Sequence, residues 1–273
     1  MTRAAFDGAA ACYDADFTHG AIGRLQRQAV HEHLRRHVLG GAGSVLELGC
    51  GTGEDALFLA RAGCRVLATD AAPAMLELAR VKVESAGLAA RVRVARLDLA
   101  APPAALGDGP VDLLFSNFGA LNCLAPEQLR RLGRAAGGWV RSGGRAVLVV
   151  MPRACLVESA YFIARGRWRE ARRRWDGGPV EARVAGGTVA TWYYSPAQVE
   201  AAFAPAFRLR DLRPVGLLVP PSYLDPRAAA WPHTLRTLAW LDERLAALRP
   251  LAGLADHALV DLERRSGAPP PSS

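Results

Sequence analysis

The stretch SVLELGCGTGEDALFLARAGCRVLATD, residues 44–70, predicts a strand, a glycine-rich turn, a helix and a second strand. The turn places Gly49, Gly51 and Gly53 directly after the apolar run SVLEL. In open α/β sheets, ligands bind outside the carboxyl ends of the strands, and glycines there allow a ligand to lie against the backbone. The stretch therefore predicts a ligand-binding turn at one edge of a parallel sheet.

The same alternation of strands and helices continues to residue 152. The apolar runs VRVARLDL, VDLLFSN and GRAVLVVMP alternate with helical patterns such as PAMLELARVKVESAG. Continuously apolar runs are typical of strands buried on both faces, and repeated strand-helix units form parallel sheets with right-handed crossovers. We predict an α/β fold with a doubly wound sheet and helices on both of its faces.

After residue 152 the pattern changes. Residues 154–175 predict one arginine-rich amphipathic helix, with three aromatic residues on one face at seven-residue intervals: Tyr161, Trp168 and Trp175. The run PVEARVAGGTVATWYY predicts a hairpin that turns at residues 185–187. HALVDLERR predicts a last strand, and SGAPPPSS, residues 266–273, predicts a disordered tail.

The chain is strongly basic, with a formal net charge of +8 over 273 residues. The excess is almost wholly arginine, because Lys82 is the one lysine in the sequence. Two explanations stay open: the arginine bias of a GC-rich coding sequence, and an anionic partner such as nucleic acid.

The five cysteines form no CxxC pair and no metal-ligand spacing, so we expect reduced thiols and no metal site. His33 and His37 share one helix face, which we expect to be solvated. The first residues carry acids where a signal peptide is apolar, and no apolar stretch approaches the ~18 residues of a membrane span. We therefore expect a cytoplasmic protein with no membrane partner.

Spacing alone leaves two classes of nucleotide-like ligand open for the glycine turn. Counting from Gly49 places Glu54 at the third glycine of a dinucleotide fingerprint, whereas counting from Gly51 places the permitted Ala56 there. Glu54 and Asp55 also occupy the first turn of the helix, where their charges would repel a diphosphate. This pattern favours a cationic ligand without phosphate.

The segment Glu47-Leu48-Gly49-Cys50-Gly51-Thr52-Gly53 resembles motif I of the class I S-adenosylmethionine-dependent methyltransferases. The resemblance covers roughly residues 44–152 and implies a Rossmann-like sheet of seven strands with S-adenosylmethionine as the cofactor. It implies methyl transfer to an O or N atom of a small molecule. The aromatic residues of the segments inserted after residue 152 favour a hydrophobic or aromatic acceptor.

The resemblance also assigns roles to individual residues. Asp70, at the end of the second strand, matches the acid that binds both ribose hydroxyls, and Met75 matches the residue that packs on the adenine. Asp98 and the backbone amide of Leu99 match the pair that binds the adenine. Glu47 matches the acid that interacts with the amino group of the ligand. The full cofactor set implied is Tyr13, Glu47, Gly49, Cys50, Gly51, Asp70, Ala71, Met75, Asp98, Leu99 and Asn117.

Tyr13 lies in AFDGAAACYDADF, which resembles the N-terminal lid of many small-molecule members of the family. We expect a single methyltransferase domain over residues 1–265. Its parts would be lid helices at 1–40, a cofactor-binding core at 44–152 and substrate-cap insertions at 153–180 and 219–255. The candidate acceptor-pocket residues are Phe17, Asn122, Tyr193, Tyr223 and His233.

No residue stands out by spacing as a catalytic base. Asn117-Phe118-Gly119-Ala120 lacks the prolines of the motif in amino-methylating nucleic-acid enzymes, and Cys123 does not follow the proline of the pyrimidine C5 enzymes. We therefore expect a small-molecule acceptor rather than nucleic acid. An RNA methyltransferase, a non-catalytic S-adenosylmethionine-binding module and a nicotinamide oxidoreductase remain as alternatives.

Overall fold

The structure, a computed structural model, describes residues 2–106, 109–184, 186–224 and 230–267. Most of the predicted tail, residues 268–273, lies outside the described residues, while 266 and 267 form a turn. Residue 185, in the turn of the predicted hairpin, also lies outside them.

A seven-stranded sheet forms the centre of the molecule. Its strands are β1 (Ser44–Leu48), β2 (Arg65–Asp70), β3 (Val92–Arg96), β4 (Val111–Ser116), β5 (Val140–Val150), β8 (Phe207–Val215) and β9 (His257–Arg264). They lie in the order β3-β2-β1-β4-β5-β9-β8. Strands β1 to β5 are parallel to one another, and β9 runs antiparallel to both β5 and β8. The prediction of a doubly wound, seven-stranded α/β fold is confirmed.

A separate two-stranded hairpin is formed by β6 (Val180–Val184) and β7 (Gly187–Thr191), where the sequence predicted it. The α-helices are α1 (Thr2–Tyr13), α2 (Ala21–His37), α3 (Glu54–Arg61), α4 (Pro73–Ser85), α5 (Pro126–Trp139), α6 (Leu156–Ile163), α7 (Trp168–Ala171), α8 (Pro196–Phe203) and α9 (Pro232–Leu245). Pro73, Pro126 and Pro196 each occupy a first helical position, where the missing amide hydrogen removes no helical bond.

Helices cover both faces of the sheet because successive strand residues point to opposite sides. On one face, Leu46 and Leu114 belong to a buried cluster that includes Leu132 of α5 and Phe203 of α8. The other face carries a second cluster, whose members Val45, Phe115, Leu34, Leu59 and Leu76 come from β1, β4, α2, α3 and α4.

The predicted helix over 154–175 is interrupted. It divides into α6 and the short α7, and between them Gly166 adopts a left-handed φ of +69°. Trp168 and Trp175 are exposed by 59% and 49%, so the three aromatic residues do not form one buried face. The seven-residue spacing was misleading because a helix has to be continuous for such residues to share a face.

The expectation that His33 is solvated was also wrong. Its Nε2 lies 2.7 Å from Oδ2 of Asp261 on β9, and both side chains are buried. The acid comes from 228 residues further along the chain, so no local pattern could reveal the pair.

The N-terminal helices pack against the core. Helix α1 contacts α4 and β7, and α2 contacts β8 and α9. Within the described parts of the chain, no helix combines the length and apolar character needed to cross a membrane.

Candidate active site

The glycine turn between β1 and α3 has three residues with positive φ: Gly49 at +70°, Gly51 at +51° and Gly53 at +88°. These values are costly for residues with a Cβ. A Cβ on Gly49 would also collide with the Cβ of Ala120. The turn therefore keeps bare backbone at the carboxyl end of β1, as the sequence indicated.

A cavity of about 500 Å³ opens at this edge of the sheet. It brings together residues that follow β1, β2, β3 and β4, and it is closed on one side by α1. The predicted cofactor residues that line it are Tyr13, Gly49, Gly51, Asp70, Ala71, Met75, Asp98, Leu99 and Asn117.

Asp70 ends β2 and faces this cavity. Its Oδ2 accepts a hydrogen bond of 3.0 Å from the amide of Gly51, and Oδ1 accepts one of 2.9 Å from the amide of Ala72. Burial raises the pKa of Asp70, and hydrogen bonds from backbone amides oppose that effect. Each carboxylate oxygen has a second acceptor position, so the group can bind the backbone and a vicinal diol together.

The adenine-binding candidates lie further along the same cavity. Met75, on α4, is 1% exposed and presents a thioether to the wall. Oδ1 of Asp98 accepts a hydrogen bond of 2.9 Å from the amide of Ala100, and its side chain is otherwise exposed. This bond orients the carboxylate at the end of β3.

Glu47 and Cys50 are buried behind the residues that line the cavity. Burial raises the pKa of Glu47 well above its usual range, and repulsion from Asp55 adds to the effect. Oε2 of Glu47 has no hydrogen-bond partner among the residues that the structure describes. A buried, unpaired carboxyl oxygen is costly, and a donor from a ligand would satisfy it.

Asp55 holds several side chains in place at this end of the site. The sequence indicated Asp55 only as a negative charge in the first turn of α3. Its Oδ2 accepts a 3.0 Å hydrogen bond from Nδ2 of Asn117, and Oδ1 lies 2.6 Å from Nε2 of His31 and 3.3 Å from Nε of Arg27. Burial alone would raise the pKa of Asp55, but Arg27 and His31 outweigh it and lower the pKa. The cluster fixes Asn117 at the end of β4.

Tyr13 covers the glycine turn from α1. Its ring centroid lies 5.2 Å from that of Phe17, and burial raises the pKa of Tyr13 to about 12. The adjacent Asp14 lies 2.7 Å from Nζ of Lys82, which also lies 2.7 Å from Oε1 of Glu54. These ion pairs connect the N-terminal segment to α3 and α4.

Sequence reasoning missed several walls of the cavity, among them Phe6, Phe118, Gln128 and Trp192. Phe118 has a φ of +44°, and it is the one non-glycine residue with positive φ in the described chain. A strained phenylalanine cannot be recognised from residue type or spacing in the sequence. Trp192 was missed because it lies outside the core segment 44–152.

None of the five acceptor candidates is among the residues that line the cavity. Phe17 is 39% exposed beside Tyr13, and His233 is exposed in the first turn of α9 rather than in a loop. Arg174 lies 5.0 Å above the ring of Tyr193, and Arg173 lies 5.5 Å from the ring of Tyr223.

Asn122 is fully buried and bonded to the backbone. Its Nδ2 donates to the carbonyl oxygens of Met151 and Trp192, and its Oδ1 accepts from the amide of Met151. These bonds occupy the side-chain amide of Asn122 and link the end of β4 to the end of β5. The role of Asn122 is therefore structural.

One group of possible metal ligands occurs among the described residues: Cys155, Glu158 and Asp256. Nη2 of Arg174 contacts both carboxylates, at 2.9 Å from Oδ1 of Asp256. The positive guanidinium already neutralises the two carboxylates, whose negative charge a bound cation would otherwise neutralise.

The residues at the cavity fit S-adenosylmethionine. The bare glycine backbone leaves room for this ligand, the carboxylate of Asp70 can accept hydrogen bonds from a ribose diol, and Met75 offers an apolar wall to the adenine. Behind this lining, the unpaired oxygen of Glu47 can accept from an amino group. The carboxylates Glu54 and Asp55 begin α3, so its amino end does not offer a diphosphate site.

Comparison with known proteins gives the same result. Residues 45–144 match the family model described as a methyltransferase domain. The chain is 35% identical over 108 residues to the protein-L-isoaspartate O-methyltransferase of Methylorubrum populi, a match that covers 40% of this chain and 45% of that relative. The match thus spans less than half the length of that relative.

Solved structures share the fold at low identity. The CcbJ methyltransferase from Streptomyces caelestis superposes with a TM-score of 0.63 at 17% identity, covering 97% of this chain and 100% of that one. An S-adenosylmethionine-dependent methyltransferase from Mesorhizobium loti superposes with a TM-score of 0.55 at 18% identity. The superposition covers 88% of this chain and 98% of that one. Residues 45–144 are thus similar to a methyltransferase domain, and the solved structures show that the chain shares the fold of S-adenosylmethionine-dependent methyltransferases.

Proposed function

We propose that the protein transfers a methyl group from S-adenosylmethionine to an O or N atom of a small, hydrophobic or aromatic molecule. The observation that carries this proposal is the convergence of Asp70, Met75, Asp98 and Asn117, from four separate elements, on one cavity of about 500 Å³. A cavity of that size at the carboxyl edge of a parallel sheet is typical of small-molecule binding.

The bound cofactor supplies a methyl group that its sulfonium already activates. In our proposal Asp70 binds the ribose hydroxyls, Met75 packs on the adenine, and Asp98 with the Leu99 amide binds the adenine edge. Glu47 and Asn117 bind the methionine end, and Tyr13 covers it. These residues hold one reactant in place and exclude water, which is how binding geometry lowers a barrier.

The acceptor side is supported by aromatic side chains beside the methionine end. Tyr13 and Phe118 both line the cavity, and the ring of Phe17 lies 5.2 Å from that of Tyr13. Tyr193 and Tyr223 lie with two arginines at the inserted segments. We propose that residues 153–180 and 219–255 cap the acceptor, while residues 1–40 form the lid, in a single domain.

The test is a transfer assay with isotope-labelled methyl on S-adenosylmethionine. The panel contains phenols, hydroxylated aromatic acids, aliphatic amines, total RNA and denatured protein. We expect label in a phenol or amine and none with Asp70→Ala, whose fold is checked by its melting temperature. Label in RNA would favour the RNA-directed alternative, which the +8 net charge motivates. Tight cofactor binding without product across the panel would favour a non-catalytic module.

A further inference from the structure

Helix α6 presents an apolar side to solvent. Its buried side holds Glu158 and Phe162. The exposed apolar residues recur at helical spacing and therefore share one side: Leu156, Ala160, Ile163 and Ala164. The two largest of them, Leu156 and Ile163, are exposed by 48% and 44%. A surface helix usually turns its apolar side toward the core, so an outward apolar side indicates a surface that binds a partner.

Two exposed tryptophans belong to the same packed unit. Trp168 begins α7 and Trp175 follows it, and both indoles are exposed. Oγ of Ser159 on α6 donates a 3.0 Å hydrogen bond to the carbonyl oxygen of Ala171 on α7. This bond fixes the two helices against each other. The apolar side of α6 and the two indoles are thus held on one rigid part of the chain.

The segment that carries them is strongly basic. Residues 156–175 contain six arginines and two acids, which gives a net charge of +4. Arg173 and Arg174 pair with Glu158. Arg167 pairs with Glu170. The remaining arginines are exposed and form no ion pair with any residue that the structure describes: Arg165, Arg169 and Arg172.

We call the exposed side chains of this segment the arginine–tryptophan surface. Its principal members are Leu156, Ile163, Trp168, Arg169, Arg172 and Trp175. The surface combines unpaired positive charge, amphipathic indole rings and aliphatic side chains. A partner that fits it has to be anionic and also has to offer an apolar region.

RNA and an anionic lipid bilayer both carry the phosphates that arginines bind. RNA can also stack its bases on aromatic rings, but it offers no apolar region to Leu156 and Ile163. A bilayer offers anionic headgroups to the arginines and, directly below them, acyl chains to the aliphatic residues. Tryptophan is enriched at the level between the two. The bilayer therefore accounts for all three kinds of exposed side chain.

From this charge and exposure we propose that the arginine–tryptophan surface binds the surface of a bilayer that contains anionic lipid. The arginines contact lipid phosphates, and the indoles and the apolar side of α6 enter the boundary between headgroups and acyl chains. Such peripheral contact needs no membrane-spanning helix. It supplies the anionic partner that the net charge of +8 left open, and it holds whatever acceptor the protein methylates.

The first test measures binding of the full chain to phosphatidylcholine vesicles with and without phosphatidylglycerol. Vesicles with about one third phosphatidylglycerol should bind at least about tenfold more tightly, and binding should weaken as salt rises. Arg169→Gln combined with Arg172→Gln should lower the partition coefficient at least about tenfold, because each cation near an anionic surface strengthens binding severalfold.

The matched control is Arg61→Gln combined with Arg131→Gln. It removes two exposed arginines from α3 and α5 and leaves the same net charge as the first double variant. It should bind vesicles as wild type does. Equal weakening in the two double variants, with their folds checked by melting temperature, would contradict the proposal because binding would then follow total charge.

The second test identifies the inserted side chains by quenching tryptophan fluorescence with lipids brominated in their acyl chains. Wild type should be quenched, whereas Trp168→Phe combined with Trp175→Phe should stay bound and lose the quenching. Trp240→Phe is the control, since Trp240 is exposed on α9, where Arg244 stacks on it. This control should be quenched as wild type is.

Failure of folded wild type to bind anionic vesicles would overturn the proposal. Quenching that is lost in Trp240→Phe and kept in the Trp168 and Trp175 variant would also overturn it, because another face would then enter the bilayer. Single-stranded RNA is tested in parallel. RNA binding that requires Arg169 and Arg172, without vesicle binding, would assign the surface to RNA and reject the bilayer. A dimer in light scattering, again without vesicle binding, would assign the surface to a second copy of the chain.

Discussion

The amide of Gly51 donates a 3.0 Å hydrogen bond to Oδ2 of Asp70, joining the glycine turn after β1 to the end of β2. The same carboxylate bonds the amide of Ala72, just before α4 begins. Asp70 therefore organises the backbone of the cavity as well as facing into it. Removing it should alter both the shape of the turn and the group that we propose binds the ribose.

Gly49→Ala should disrupt both folding and binding. The new Cβ would collide with the Cβ of Ala120, and the φ of +70° is strained for alanine. We expect a loss of about 2–4 kcal/mol in unfolding free energy and no measurable binding of S-adenosylhomocysteine. Denaturant unfolding and calorimetry measure the two effects.

Gly63→Ala is the control for this change. Gly63 has a φ of +98°, but a Cβ added there would point into open space, with no described atom within 4 Å apart from its chain neighbours. The variant should lose only about 1 kcal/mol and bind the ligand as wild type does. Equal behaviour of the two variants would show that the contact with Ala120 is unimportant.

Lys82→Met should weaken ligand binding by releasing the N-terminal segment. Nζ of Lys82 is 2.7 Å from both Asp14 and Glu54, and Asp14 follows Tyr13, which covers the glycine turn. A partly exposed pair of this kind contributes about 1 kcal/mol, so the Kd for S-adenosylhomocysteine should rise roughly fivefold.

The matching control is Arg80→Met, which removes an exposed pair with Glu77 on the same helix. Its Kd should equal that of wild type. Wild-type affinity in Lys82→Met would show that these ion pairs do not hold the N-terminal segment over the cofactor.

Asp112 should make stability depend on pH in the acid range. Burial opposes ionisation, but hydrogen bonds from Arg141, Ser44 and the amide of Gly43 outweigh it and lower the pKa of Asp112 to about 2. Because the folded pKa is below the ordinary 3.8, the stabilisation is fully present above pH 4 and is lost as pH falls through 2. Asp112→Asn should remove about 2 kcal/mol at pH 7 and flatten the profile between pH 4 and 2.

Denaturant midpoints measured from pH 7 to pH 2 check this prediction. Glu127→Gln is the control, since Glu127 is exposed and pairs with Arg130 and Arg134 of its own helix. It should change the midpoint at pH 7 far less than Asp112→Asn does. A wild-type acid profile in Asp112→Asn would contradict the assignment.

Local sequence predicted the central sheet and much of the cavity because the relevant signals are local. An apolar strand, a glycine turn and an acid at the next strand end lie within residues 44–70, and parallel strands bring such ends to one edge. Met75 and Asp98 came from the resemblance to the methyltransferase family, because each matches a residue of that family's cofactor site.

The rest depended on contacts between distant segments. Asp55 pairs with His31 and Arg27, Asn122 bonds Trp192, and His257 meets Phe118 across about 140 residues of sequence. Such pairs leave no periodic trace in a single sequence. A different, local reason applies to the predicted helix over 154–175, which Gly166 interrupts with a left-handed φ.

The central claim is that Asp70 belongs to an S-adenosylmethionine site. Calorimetric titration of S-adenosylmethionine and S-adenosylhomocysteine into wild type and Asp70→Ala tests it most directly. We predict micromolar binding of both ligands to wild type and a Kd at least about 30-fold higher in the variant. Failure of folded wild type to bind either ligand, or equal affinity in folded Asp70→Ala, would contradict the claim.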